Sequence, residues 1–237
     1  MGRFSDQKEL QREFQKGRPE RETAAAGSKS GPFRRRADLK VSEAELERDI
    51  RSYSGIPLKE KIKKKTALVA KYKSLVDQAF RSGLAQENEA TISAYTVWLY
   101  DTGDIAQFIE LADRAAGLGL RQTLIPNKDY RLLKLYWVMD WTARQRDAGL
   151  SYEPYFSHVF DSVEDWNLPR KIREGYHYFK FYSLVASGEL EQALKFGERA
   201  IEMGAEIKTN HRILRDIVAS KTKKKWDRAT WKFVKRN

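Results

Sequence analysis

The sequence predicts an all-α protein: a helical-hairpin array with tetratricopeptide-like repeats, preceded by a long basic amphipathic helix. Three observations predict it. Apolar residues recur at three-, four- and seven-residue steps along most of the chain. Stretches alternating with period two are few and turn pairs suited to hairpins are missing, so no sheet is expected. One helix-turn-helix segment occurs twice, as an array of hairpins would require.

Residues 1–40 are polar and punctuated by Gly17, Pro19, Gly27, Gly31 and Pro32. They read as a disordered basic arm ending in Arg34-Arg35-Arg36, because so little apolar surface cannot offset the entropy of ordering. A basic helical segment follows at 41–85. Ser42-Glu43-Ala44-Glu45 has the spacing of a capping box and opens a short helix to about Arg51, which Gly55 and Pro57 end. The next helix spans roughly 58–82, with Leu58, Ile62, Val69, Tyr72, Val76 and Phe80 on its apolar stripe and lysine on most of its polar face. A helical-repeat domain occupies 86–220, with helices at about 88–101, 104–118, 129–148, 154–163, 169–186, 189–204 and 209–219. A basic aromatic tail fills 221–237.

The duplicated segments are Thr102–Gly119 and Ser187–Gly204, which align without gaps and share Gly103/Gly188, Gln107/Gln192, Arg114/Arg199, Ala115/Ala200 and Gly119/Gly204. Gly103 and Gly188 are placed to end one helix in the left-handed conformation, and an acid starts the next. Small residues at Ala112/Gly197 and Ala115/Ala200 allow helices to approach closely.

Charge narrows the function. The 237 residues carry a net +12, distributed as +5 over residues 1–40, +6 over 59–73 and +7 over 221–237, which leaves −6 for the remainder. Cationic elements on a mildly acidic body point to a polyanionic partner, with a solvated lysine face as the alternative for 59–73. The absence of cysteine excludes a disulfide scaffold, a thiolate metal site and a cysteine nucleophile. No apolar run approaches the ~18 residues of a membrane span, and no signal-peptide pattern opens the chain, so a soluble, intracellular protein is expected.

Little chemistry is encoded. There is no phosphate-binding Gly-x-x-x-x-Gly-Lys-Ser/Thr loop. His158, His177 and His211 lack carboxylates at ligand spacing, so no metal and no cofactor is expected. Glu206-Ile207-Lys208 matches half of a metal-dependent nuclease pattern but lacks its hairpin and second carboxylate. Asp101 and Asp104 bracket a turn, where capping by Asp104 outweighs a shared cation. Trp98, Trp137, Trp141 and Trp166 sit on or beside apolar helix faces and read as packing. Trp226, Trp231 and Phe233, set among cations, allow three roles: docking on the protein, gripping a polyanion, or anchoring another protein.

At Trp98-Leu99-Tyr100-Asp101-Thr102-Gly103-Asp104-Ile105-Ala106 the chain resembles the small terminase subunits of tailed bacteriophages that package DNA from cohesive ends. Weaker matches lie in Leu58–Ala79 and in Gly188–Ala200, so the likeness covers roughly residues 40–220. The resemblance implies a homo-oligomeric subunit in the host cytoplasm. It would bind double-stranded DNA at the packaging-initiation site and deliver it to a large terminase subunit bearing ATPase and nuclease. The sequence itself offers no catalytic constellation, so any part in cleavage is read as assistance and the question of an enzyme stays open. DNA contact then falls to Arg34, Arg35, Arg36, Lys59, Lys61, Lys63, Lys64, Lys65, Lys71 and Lys73, and large-subunit contact to Trp226, Trp231 and Phe233. The competing reading is a tetratricopeptide-like adaptor that binds peptides and uses basic tails for nucleic acid. The stripe on 58–82 also predicts self-association, because later helices already have one another to pack on. Light scattering on the purified chain at tens of micromolar should therefore return a mass above the 27.6 kDa monomer.

Overall fold

The computed structural model describes residues 43–125, 129–161, 163, 167–222, 224–227 and 232–235. The expected arm with Arg34, Arg35 and Arg36, together with Trp166 and Trp231, lies outside them. The chain divides into two compact units, residues 1–134 and 135–237.

The first unit holds α1 (Glu43–Arg51), α2 (Leu58–Arg81), a 3-10 turn at Gln86–Asn88, α3 (Glu89–Thr102), α4 (Ile105–Gly117) and the opening turn of α5 (Tyr130–Asp147). Helix α3 is its centre: Thr91 to Thr96 and Trp98 to Tyr100 are all buried, leaving no polar face. Against it α2 buries Leu68, Tyr72, Val76 and Ala79, a stripe at four- and three-residue steps. That stripe differs from the expected one. Leu58 is 73% exposed and Ile62 38%, so burial on α2 begins only at Leu68. Lengths explain this, since 24 residues of α2 span about 36 Å against about 21 Å for the 14 of α3.

The loop after α4 is pinned back on α3, where Ser93 Oγ accepts from Thr123 N at 3.0 Å and lies 3.2 Å from the Tyr130 hydroxyl. The buried Lys134 ammonium at the start of α5 pairs with Asp113 of α4.

The second unit holds the rest of α5, then α6 (Tyr155–Phe160), α7 (Arg170–Ser187), α8 (Leu190–Glu202) and α9 (Lys208–Thr222). Aromatic rings fill its first part, with Phe156 and Tyr176 stacked at 5.6 Å and the buried Tyr176 hydroxyl donating to Leu135 O at 3.0 Å. Trp137 and Trp141 are half-buried, the latter edge-on to Tyr155 at 5.7 Å. Phe181, Leu184, Leu194, Ile207, Leu214 and Val218 then join α7, α8 and α9 in one cluster.

The duplicated sequence gives duplicated backbone geometry. Gly103 and Gly188 both end a helix at positive φ, +83° and +82°. Asp104 N bonds Leu99 O at 3.0 Å and Glu189 N bonds Leu184 O at 2.9 Å, the six-to-one closure of a left-handed helix cap. The partner helices end alike, with Leu120 N to Ala115 O at 3.0 Å and Ala205 N to Ala200 O at 2.9 Å.

The all-α class holds, with one local departure. The chain is predominantly helical, but Lys224–Asp227 (β1) and Lys232–Lys235 (β2) form an antiparallel two-stranded ladder where no sheet was expected. Pairing across the ladder satisfies backbone groups whatever the side-chain pattern, so four-residue strands need no sustained alternation.

Gly197 marks a close helix approach in the second unit. A Cβ built there would stand 2.7 Å from His211 Cδ2 and 2.8 Å from Phe181 Cδ2, both in buried rings. Gly197→Ala should cost about 1–3 kcal/mol of stability through overpacking, measured by urea unfolding.

Candidate nucleic-acid interface

The lysine-rich helix is held by contacts that converge from three directions. The side of α1 supplies Asp49, whose carboxylate accepts from Tyr72 Oη and from Lys71 Nζ, both at 2.7 Å. Glu45 reaches the same ammonium at 2.7 Å. Partial burial acts to raise the Asp49 carboxyl, but the hydrogen bonds from Lys71 and Tyr72 prevail and hold it below the ordinary carboxylate value of 3.8. On the other partner the same bonds, Asp49 first and Glu45 second, push the Lys71 ammonium upward.

From α3 comes Trp98, fully buried, with its ring 5.2 Å from that of Tyr72 and its Nε1 donating to Tyr53 Oη at 3.1 Å. Tyr53 belongs to the turn between α1 and α2, so one indole joins three segments. Three residues beyond Trp98, Asp101 accepts from Lys65, whose ammonium also lies 4.7 Å over the Tyr53 ring. The rest of the motif shapes the turn. Thr102 Oγ1 donates to Trp98 O at 2.8 Å, Gly103 takes the positive φ, and Asp104 accepts from Gln107 N at 3.1 Å as the cap of α4.

These contacts sort the lysines. Lys65, Lys71 and Lys73 face carboxylates of Asp101, Asp49 with Glu45, and Asp77 respectively, and Lys73 also donates to Gln107 Oε1. Lys59, Lys61, Lys63 and Lys64 have no carboxylate within ion-pair distance among the described residues. Lys59, Lys63 and Lys64 are exposed, Lys61 is half-buried, and Lys64 donates to the Ser52 carbonyl. All four lie before Leu68, on the part of α2 that buries nothing in α3. Trp226 stands opposite Phe233 in the ladder register, well separated in sequence from these lysines.

Sequence reasoning missed Asp49 and Tyr53. Their partners lie 22 to 45 positions away, beyond the reach of any helical spacing. Other candidate groups have structural surroundings: His177 is buried with its ring stacked on Phe196 at 5.8 Å, and His211 Nε2 lies 3.0 Å from Leu194 O and 3.4 Å from Glu198. Among the described residues no three His, Asp or Glu groups gather as a metal site would need, and no helix is long and apolar enough to cross a membrane.

The class the residues form is a predominantly helical protein whose lysine-rich helix is fixed by the Trp98–Asp104 segment. A profile of the family described as "Phage small terminase subunit" matches residues 43–171, and the chain belongs to that family. It is also similar to the "Probable terminase, endonuclease subunit" of Haemophilus phage HP1 (strain HP1c1), 27% identical over 139 residues that cover 55% of this chain and 47% of that protein. The chain thus spans about half the length of this curated relative. No solved structure matches it.

The lowered Asp49 carboxyl fixes the sign of an acid effect. Its contribution to stability is complete above the unfolded value near 3.8 and fades as the pH falls through the lower folded value. Asp49→Asn should destabilise the protein by about 1–3 kcal/mol at neutral pH, and its deficit against the parent in urea unfolding should narrow as the pH is taken below 4.

Proposed function

We propose that this chain is the DNA-recognition subunit of a phage terminase. It binds double-stranded DNA at the packaging-initiation site, through its N-terminal basic arm and the start of α2, and hands that DNA to the large terminase subunit in the host cytoplasm. The observation that carries the reading is the set of lysines at 59, 61, 63 and 64, which have no carboxylate within ion-pair distance among the described residues, on the α2 segment before Leu68 of a family-matched chain.

The working division is a basic arm over 1–40, a DNA-binding and oligomerisation segment over 41–85, a tetratricopeptide-like helical-repeat body over 86–220 and a tail over 221–237. Homo-oligomerisation multiplies weak phosphate contacts along one duplex. The tail, with Trp226, Trp231 and Phe233, is assigned to the large subunit, since the DNA-facing charge is already supplied near the N-terminus. Cleavage is assigned to that partner as well, with this chain assisting; the curated relative's description as an endonuclease subunit belongs to that relative. A second reading, a peptide-binding adaptor of tetratricopeptide type, draws on the matched closures at Gly103 and Gly188.

Salt separates the two. Duplex binding should give a log–log slope of about −0.9 for each phosphate engaged, whereas a peptide groove would show little such dependence. Deleting residues 222–237 should leave DNA affinity and oligomer mass largely intact while abolishing co-purification with the large subunit. A truncated protein that still captures the large subunit at full strength would overturn the assignment of the tail.

A further inference from the structure

Seven lysines lie between residues 59 and 73, and sequence alone treats them alike. We infer that they do two different jobs: Lys59, Lys61, Lys63 and Lys64 form a sequence-neutral phosphate clamp, and Lys65, Lys71 and Lys73 hold the helix in place without touching DNA. This rests on the reading of α2 as a nucleic-acid element and says what that element recognises.

Position and chemistry separate the groups. The clamp lysines stand on the first two turns of α2, where Leu58 and Ile62 are also exposed and no side chain is buried against α3. Lys59 and Lys63 are four apart and share one side of the helix, while Lys61 and Lys64 widen the cationic surface around it. The guanidinium fork of arginine and the amides of asparagine and glutamine read guanine and adenine through two fixed, parallel bonds. Residues 58–67 contain none of these. The one hydroxyl among them, Thr66 Oγ1, donates to Ile62 O at 2.9 Å within the helix. The cations there are all ammonium, a strongly hydrated point charge that suits phosphate, beside the single carboxylate of Glu60. Selectivity for one DNA site is accordingly assigned to elements outside this helix.

The structural lysines are neutralised by acids from three elements: Asp49 and Glu45 of α1, Asp101 of α3 and Asp77 of α2 itself. A phosphate would have to displace those carboxylates first.

The test uses the full chain and three equal-length DNA duplexes of unrelated sequence, with affinity followed against salt. Replacing Lys59, Lys61, Lys63 and Lys64 together with glutamine should weaken all three duplexes by the same factor and make the log–log slope shallower by about 3 to 4. These side chains are not in the core, and only Lys64 makes a hydrogen bond across to another segment, at the Ser52 carbonyl, so the variant should keep its helical circular dichroism and lose less melting temperature than the variant below. Replacing Lys65, Lys71 and Lys73 with glutamine should lower the melting temperature but leave the slope unchanged when measured well below it. A more than tenfold difference in loss between duplexes would show that the helix reads bases, which overturns the clamp and keeps the DNA function. Equal flattening by both variants would overturn the division of labour. Unchanged binding in the first variant would remove DNA from this helix altogether, and failure of the parent protein to bind any duplex would remove the proposed function as well.

Discussion

The position of the cationic helix depends on how one indole is buried. Trp98 lies in the middle of α3 with no exposed surface, and a tryptophan so placed must find both ring neighbours and an acceptor for its N–H. Tyr72 of α2 supplies the ring and Tyr53 of the preceding turn supplies the acceptor. Tyr72 in turn donates to Asp49, so α1 is drawn onto the same assembly. Removing the indole would leave a cavity and a tyrosine pair without its partner at the point where three segments meet. Asp101, one turn further along α3, meets Lys65 two turns before Tyr72 on α2, which sets the register between the helices as well as their contact.

The acidic character of the chain's middle acquires a purpose from this arrangement. Lysines three and four apart on a helix repel one another, and seven within fifteen residues would oppose folding if none were compensated. Carboxylates at Asp49, Glu45, Asp101 and Asp77 relieve the part of the run that lies over the body of the unit. In the first two turns, where Glu60 is the one acid, no lysine has a carboxylate within ion-pair distance among the described residues, and Lys59 and Lys63 face water. The +6 of the run is thus a gradient along one helix.

The two hairpins show which part of a repeat is fixed and which is free. Their backbone closures agree bond for bond, because a glycine at positive φ followed by an acidic residue has few ways to end one helix and begin another. Their packing faces differ. Where the first copy has Ala112, the second has Gly197, and the missing methyl group is the space taken by the rings of Phe181 and His211. A repeat preserves its turns while its faces adapt to whatever lies against them.

Helix ends were legible in the sequence because their causes are local. Asp104, Gly103, Gly188 and the Gly55–Pro57 break act within a few residues, and the observed helices start and stop within a residue or two of the expected bounds through most of the chain. The turn from Trp98 to Asp104 was legible for the same reason, since its caps are local chemistry. Which apolar residues of α2 are buried was decided by where α3 ends, so Leu58 and Ile62 stayed outside a stripe they match by spacing. The short ladder at 224–235 was decided by pairing between strands, which four-residue segments do not announce. Above all, the sequence determined that the lysines are numerous, and only the tertiary structure decided which of them are engaged. A carboxylate that comes within 3 Å after folding can be dozens of residues distant along the chain, and electrostatic attraction follows distance through space.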